Sequence, residues 1–208
     1  MISVKNNQKG STMMEALAVL AIFVMMGASA IALIASVWGI FRQNLVVNEA
    51  RDLQKAISDS YKAEGTYERL LQDWADNNVD RYKPAESLCS EKIAPPQMCS
   101  NNKLRHRMGG EVFVSPVDSN NNKYMLTFMG LSKKACVALA EINWFTQKQT
   151  FLQQMRINFD GTTGTVVCLP GVGENCSSSL TLYNFSTGDA MNSCNKSNGE
   201  NVVDWIFF

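Results

Sequence analysis

The stretch KGSTMME at residues 9–15 stands directly before an apolar run from Ala16 to Phe41, and together they decide how the chain folds. The run contains 26 residues without a charge or a proline. At about 1.5 Å per residue, a helix of this length measures roughly 39 Å, which exceeds the hydrocarbon core of about 30 Å. The run therefore predicts a helix that spans a membrane.

Glu15 is the single charged residue between Lys9 and Arg42. A carboxylate inside a bilayer costs about 2.5 to 3.5 kcal/mol even on lenient scales, so such a residue usually has a partner and a function. A secretory signal peptide would have a shorter apolar region, with its small-residue cleavage site after that region. Thr12 and Glu15 also fit a capping box, which would mark a helix start and is compatible with a role in the membrane.

Gly10 is followed by Ser11, by Glu15 as the fifth residue after the glycine, and then by about twenty apolar residues. This arrangement resembles the leader of the type IV pilins. The resemblance implies that prepilin peptidase cuts between Gly10 and Ser11 and that the new amine is methylated. Residues 1–10 would then be a leader that stays in the cytoplasm, as its lysines lead us to expect. Ser11 departs from the aromatic or large apolar residue that is usual in the family.

The resemblance also implies a role for Glu15 in assembly. In the family, this glutamate neutralises the N-terminal amine of an adjoining subunit as the helix enters the filament. Two charges that are costly apart in apolar surroundings become tolerable together. The implied partners are further copies of the chain, prepilin peptidase, the pilus assembly machinery of the inner membrane, and the membrane itself before assembly.

The helical period continues beyond the apolar run, although the sequence becomes polar. Apolar side chains recur at steps of three and four residues at Val46, Ala50, Leu53, Ile57 and Tyr61. We therefore predict one long helix from Thr12 to Ala63, within a segment at residues 11–64. Small residues at positions 28, 32 and 36 suit close packing against identical helices, but they also fit the ordinary composition of a membrane helix.

The remaining segment, residues 65–208, is long enough for one head domain. With 19 basic and 19 acidic residues, the formal net charge is zero, and the sequence does not favour nucleic-acid binding. His106 is the only histidine, and we expect it on a solvated basic surface between Arg105 and Arg107. Metal-site spacings are absent, so neither a metal site nor a cofactor is predicted.

Strand patterns dominate the head. Residues 112–114 and 124–128 predict a hairpin across the asparagines at 120–122, and Ser132 can cap a helix that turns Cys136, Leu139 and Ala140 to one face. Further strands are predicted at residues 151–159, 165–169, 180–185 and 202–208. The expected fold class is α+β, with the long helix packed on an antiparallel sheet.

The head resembles that of the type IVb pilins, including the bundle-forming and toxin-coregulated types, in its Gly109-Gly110 pair, its hairpin and its cysteine-bearing helix. Six cysteines beyond a membrane helix predict disulfides in an oxidising compartment, although six allow 15 pairings. The resemblance implies that Cys136 pairs with a cysteine near the C-terminus. We expect this partner to be Cys194, and Cys89–Cys99 and Cys168–Cys176 then follow as local bonds.

The function implied by the resemblance is that of a structural subunit of a type IVb pilus, which serves adhesion, aggregation or conjugative contact. The protein would reside in the bacterial inner membrane before it joins an extracellular filament. A minor pilin and a pseudopilin of a type II secretion system are alternatives with the same leader and helix. A membrane-anchored periplasmic enzyme or receptor is a further alternative, but the sequence contains no nucleophile elbow or phosphate loop, and no catalytic residue is assigned.

Overall fold

The computed structural model describes residues 8–62, 67, 70, 83–117, 122–144, 152–169, 180–197 and 199–208. The chain divides into two compact units, Met1–Phe41 and Arg42–Phe208. The helices are α1 (Gln8–Lys62), α2 (Lys83–Ser90), α3 (Lys133–Ala140) and α4 (Thr187–Ser193). The strands are β1 (Cys99–Ser100), β2 (Lys103–Arg105), β3 (Glu111–Pro116), β4 (Tyr124–Leu131), β5 (Leu152–Ile157), β6 (Thr165–Cys168) and β7 (Asn201–Phe207).

The seven strands form one antiparallel sheet in the order β1-β2-β3-β4-β7-β5-β6. The C-terminal strand β7 therefore lies inside the sheet, where Trp205 is opposite Leu126 of β4 and Met155 of β5. This strand joins the two parts of the sheet that precede it in the chain. The predicted α+β class, the long helix and the antiparallel sheet are all confirmed.

The second half of α1 contributes one stripe to the core of the head. Val46, Ala50, Leu53, Ile57 and Tyr61 are buried, as their spacing predicts. They belong to the same hydrophobic cluster as the large apolar side chains of the sheet, which include Tyr124, Leu126, Phe128, Trp205 and Phe207. The stripe of α1 therefore anchors this half of the helix to the head.

Two predicted features are confirmed in detail. The hairpin consists of β3 and β4, in which Val112 lies opposite Phe128, while the turn between the strands lies partly outside the described residues. Ser132 caps α3 by accepting a hydrogen bond from the amide of Ala135 at 3.3 Å. Buried residues on one face of α3 include Cys136, as the pattern predicts.

One predicted strand, residues 180–185, is wrong. Thr181 forms a single bridge with Cys168, and the chain then turns. The side-chain oxygen of Asn184 accepts hydrogen bonds from the Thr181 amide at 2.6 Å and from its hydroxyl at 3.0 Å. Asparagine offers the backbone this local partner in place of a neighbouring strand, which explains why the segment curls.

Candidate assembly surface and its support

The first half of α1 contains a segment that could cross a membrane. Met13–Ile31 is a 19-residue window that is long and apolar enough, and none of it is buried inside the protein. This window begins and ends before the predicted span, which ran from Ala16 to Phe41. Its exposed side chains include Leu17, Leu20, Phe23, Met25 and Ile31.

Glu15 lies near the start of this apolar segment. Together with Ala16, Val19, Leu20 and Phe23 it lines a shallow depression along one face of the helix. Across the described part of the chain, no hydrogen bond or ion pair reaches the Glu15 carboxylate. An exposed acid is thus surrounded by apolar side chains on a surface that none of the described residues covers.

The capping-box hypothesis for Thr12 and Glu15 does not describe the start of α1. The helix begins at Gln8, so both residues lie within it. Gly10 and Ser11 also belong to its helical backbone. Cleavage between these two residues remains a prediction, and the side chains of Ala32 and Ser36 in the small-residue stripe lie outside those described.

Disulfides link the short helices of the head to other elements. Cys89 is bonded to Cys99, which links α2 to β1, with 5.8 Å between their Cα atoms. Cys136 is bonded to Cys194, which links α3 to the end of α4 across 58 positions of the chain. The resemblance led us to expect the Cys136–Cys194 pair, and Cys89–Cys99 is one of the local pairs expected with it; both are confirmed. Cys168 is also disulfide-bonded, but its expected partner at position 176 lies outside the described residues, so that pair stays a prediction.

The prediction that His106 lies on a solvated surface is wrong. Its side chain is only 2% exposed, and its ring stacks on Phe128 with 5.7 Å between centroids. The carbonyl oxygen of Met129 lies 2.8 Å from Nε2 of His106, and because a carbonyl oxygen can only accept, Nε2 carries the proton. Nδ1 of His106 accepts a hydrogen bond from the Met108 amide at 3.2 Å. Burial lowers the pKa of His106, which favours this neutral form.

Gly110 explains how an imidazole fits beside two strands. A side chain at Gly110 would overlap the carbonyl oxygen of Met129 and the ring of His106. The glycine therefore leaves the space through which the ring reaches β4. The Gly109-Gly110 pair was recognised in the sequence, but no local pattern reveals that a histidine fills the gap.

A buried acid on α1 is held by the turn that contains His106. Glu49 is 3% exposed, and its two carboxylate oxygens accept hydrogen bonds from the backbone amide and the Nε of Arg107, each at 3.1 Å. Burial raises the pKa of Glu49, and the hydrogen bonds and charge of Arg107 partly oppose that shift. Sequence analysis missed Glu49, although an acid one position before Ala50 interrupts the apolar stripe.

Two buried asparagines support the entry to β7. The Nδ2 of Asn158 donates to the carbonyl oxygen of Ser193 at 2.8 Å and to Oδ1 of Asn201 at 3.1 Å. The amide of Val202 donates to Oδ1 of Asn158 at 2.9 Å. These side-chain amides form hydrogen bonds with backbone groups where α4, β5 and β7 meet, close to the Cys136–Cys194 bond. Nothing in the local sequence distinguishes them from the many turn asparagines.

Asp204 is a buried acid in the middle of β7. It lies opposite Thr127 on β4 and Arg156 on β5. Burial raises the pKa of Asp204, while the Thr127 hydrogen bond and the charge of Arg156 lower it. The polar row crosses the central strands, and it offers no metal site: no cluster of three or more His, Cys, Asp or Glu occurs in the ranges that the structure describes.

Comparisons with known proteins agree with this architecture. No protein-family model matches the sequence, and no curated protein matches it either. Among solved structures, the chain is similar to the crystal structure of TcpA, a type IV pilin from Vibrio cholerae El Tor biotype, with a TM-score of 0.51 and 15% sequence identity. The similarity covers 79% of this chain and 98% of that one. The protein therefore has the fold of a type IV pilin.

Proposed function

We propose that this chain is a structural subunit of a type IVb pilus. It would be inserted in the bacterial inner membrane, cut by prepilin peptidase between Gly10 and Ser11, and polymerised into an extracellular filament. The observation that carries the proposal is the pilin fold joined to an apolar helix segment, Met13–Ile31, none of which is buried within the described part of the chain.

The exposed segment requires apolar surroundings from outside the chain. Before assembly a bilayer supplies them, and in a filament the same helix surfaces of other copies would do so. Glu15 makes the second environment specific, because its carboxylate has no partner within the described residues and an adjoining N-terminal amine would neutralise it. Correct pairing would thus link the energetic gain of assembly to one alignment of neighbouring helices.

Two features support the type IVb class within this proposal, one in α1 and one in the head. α1 contains no proline, and the Cys136–Cys194 bond fastens the region before the C-terminal strand. The head would form the outer surface of the filament and mediate adhesion, aggregation or conjugative contact. Its part is structural and not catalytic, so the proposal includes no cofactor.

A minor pilin is a second candidate with the same helix and head. Such a subunit would initiate filaments and be scarce in them, so its abundance in sheared filaments separates the two roles. A type II secretion pseudopilin is less well supported, because those heads usually lack a large disulfide-bonded C-terminal region, and here Cys194 precedes β7 in a disulfide.

Replacing Glu15 tests the assembly step. Glu15→Val should give a folded, membrane-held protein that does not enter filaments, because the charge that pairs with the neighbouring amine is lost. Electron microscopy and immunoblots of sheared filaments measure incorporation. Asp59→Val is the matched control, since Asp59 is an exposed acid on the other half of the same helix. Normal incorporation of Glu15→Val would refute the charge-pairing mechanism.

Replacing Gly10 tests processing separately. Gly10→Val should block the cut, because a branched side chain replaces a hydrogen atom beside the scissile bond. N-terminal sequencing and intact mass give the result directly. Gly27→Val provides the matched control, since this glycine has no neighbour within 4 Å of an added Cβ and lies beyond the leader. A mature N-terminus at Ser11 in the Gly10 variant would contradict the leader assignment.

A further inference from the structure

The buried stripe of α1 nearly repeats along the helix. Val46, Ala50, Leu53, Ile57 and Tyr61 are all buried and follow one another at steps of three or four residues. A displacement by four residues would bring Ala50, Ile57 and Tyr61 to the places of Val46, Leu53 and Ile57. The displacement would also bring the buried Gln54 to the place of Ala50, and the larger Tyr61 would cost packing energy in the place of Ile57. Because apolar burial is non-directional, the other exchanges keep apolar side chains in the core, and the stripe by itself does not exclude the displaced register.

Glu49 breaks the repetition of the stripe. Its buried carboxylate accepts two hydrogen bonds from Arg107, one from the backbone amide and one from the guanidinium group. A helix displaced by one turn would carry the acid away from both donors. A buried charge without partners is strongly unfavourable, so the carboxylate distinguishes one register from the next.

The turn that holds Glu49 is itself rigid. Four successive amides have separate acceptors: His106 donates to the Gly110 oxygen (3.1 Å), Arg107 to Glu49 Oε2 (3.1 Å), Met108 to His106 Nδ1 (3.2 Å) and Gly109 to the His106 oxygen (2.8 Å). The His106 ring then fastens the turn to β4 through the carbonyl of Met129. The backbone amide of Arg107 therefore keeps a fixed position on the sheet.

We infer that Glu49 is a positioning residue, which together with the turn at residues 106–110 sets the axial register of α1 on the sheet. One consequence rests on the proposed function: subunits of a filament must all present head and helix in the same register. A subunit displaced by one helical turn, about 5.4 Å, would not match its neighbours. Glu15 would align helices between subunits, and Glu49 would align helix and head within one subunit.

The register can be measured on the unassembled, full-length protein in detergent. Spin labels on genetically encoded amino acids at Lys55 and Ser100, both exposed, report the distance between α1 and the sheet without using the bonded cysteines. The unsubstituted protein should show one distance. Glu49→Ala should add a second population, displaced by up to about 5.4 Å, since alanine is compatible with either register.

Asp52→Ala is the matched control, because Asp52 is an exposed acid on the same half of α1, and it should keep the single native distance. Glu49→Met, which removes both acceptors and nearly keeps the side-chain length, decides the question if the alanine variant does not fold, and it should also show the second population. A single native distance in each folded Glu49 variant would overturn the inference. Because no filament is involved in this measurement, its failure would leave the proposed pilus function untouched.

Discussion

The two halves of α1 place similar residues in opposite surroundings. In the first half Leu20 is 62% exposed, whereas in the second half Leu53 is completely buried. Both leucines belong to one uninterrupted helix, Gln8–Lys62. The difference separates a half that is buried against the chain's own head from a half whose apolar side chains are exposed among the described residues.

The acids of the two halves follow the same division. Glu49 finds its donors in the same chain, while Glu15 has none among the residues described. A charge that is satisfied internally stabilises one fold, and a charge left unsatisfied on an apolar surface favours association. The comparison therefore predicts that substitutions in the second half act on folding, and that equivalent substitutions in the first half act on insertion or assembly.

The largest effect on folding should come from Leu53→Ala. Removing a fully buried leucine side chain leaves a cavity and should lower the free energy of unfolding of the head by about 2–5 kcal/mol. Leu20→Ala is the matched change in the exposed half and should alter it by less than about 0.5 kcal/mol. Denaturant unfolding of the detergent-solubilised protein, followed by tryptophan fluorescence, gives both values. Equal losses would show that the two halves do not differ in this way.

A smaller effect should come from the protonation of His106. The lowered pKa means that the unfolded chain binds a proton near pH 6.5, whereas the folded head stays unprotonated. Stability is therefore complete above pH 6.5 and falls as the pH drops towards the lowered pKa, by at most about 1.4 kcal/mol per pH unit.

Glu49 contributes with the opposite sign. Because its folded pKa is raised above 4.5, the folded state binds a proton first as the pH falls, and this group then adds stability.

His106→Gln isolates the contribution of the histidine to the pH dependence, since glutamine supplies a donor and an acceptor without titrating. The decline just below pH 6.5 should disappear in this variant. An unchanged pH profile in urea titrations would mean that another group causes the decline.

The smallest predicted effect compares two serines. Ser58 is buried and hydrogen-bonds the Tyr67 hydroxyl, which in turn donates to the carbonyl oxygen of Phe208 at 3.1 Å. Ser58→Ala should lower the free energy of unfolding by about 0.5–1.5 kcal/mol. Among the described residues, Ser29 donates to carbonyls of its own helix, at Met25 and Met26, so Ser29→Ala should change the free energy of unfolding by less than about 0.5 kcal/mol. A larger loss from Ser29→Ala would contradict the comparison.

Sequence analysis predicted the parts of the fold whose signal is local and repeated. The helical period from Val46 to Tyr61, the alternation around Val112 and the cap at Ser132 each depend on residues only a few positions apart. α4 was missed, although Ser186 and Asp189 form a capping box at its start, because the helix has only seven residues and lacks an apolar stripe. The segment at Thr181 was misread because a nearby asparagine provided a closer partner than any strand.

The residues of the candidate site also divide into those that the sequence reveals and those that it does not. Glu15 and Gly10 stand out in the sequence because a lone acid and a glycine next to a long apolar run are conspicuous wherever they occur. His106, Glu49 and Asp204 do not stand out, since each depends on partners more than twenty residues away in the chain. Burial of a polar group is decided by what packs against it, and no local pattern contains that information.

The amino-acid order by itself determined that one end of this protein must meet an apolar environment, because 26 uncharged residues cannot remain in water as an exposed helix without a partner. The tertiary structure alone decided how the head is closed, with the last strand placed between β4 and β5 and an acid of α1 held by a turn of the sheet. The physical reason is range: transfer from water depends on composition along a segment, whereas register depends on directional bonds between distant residues.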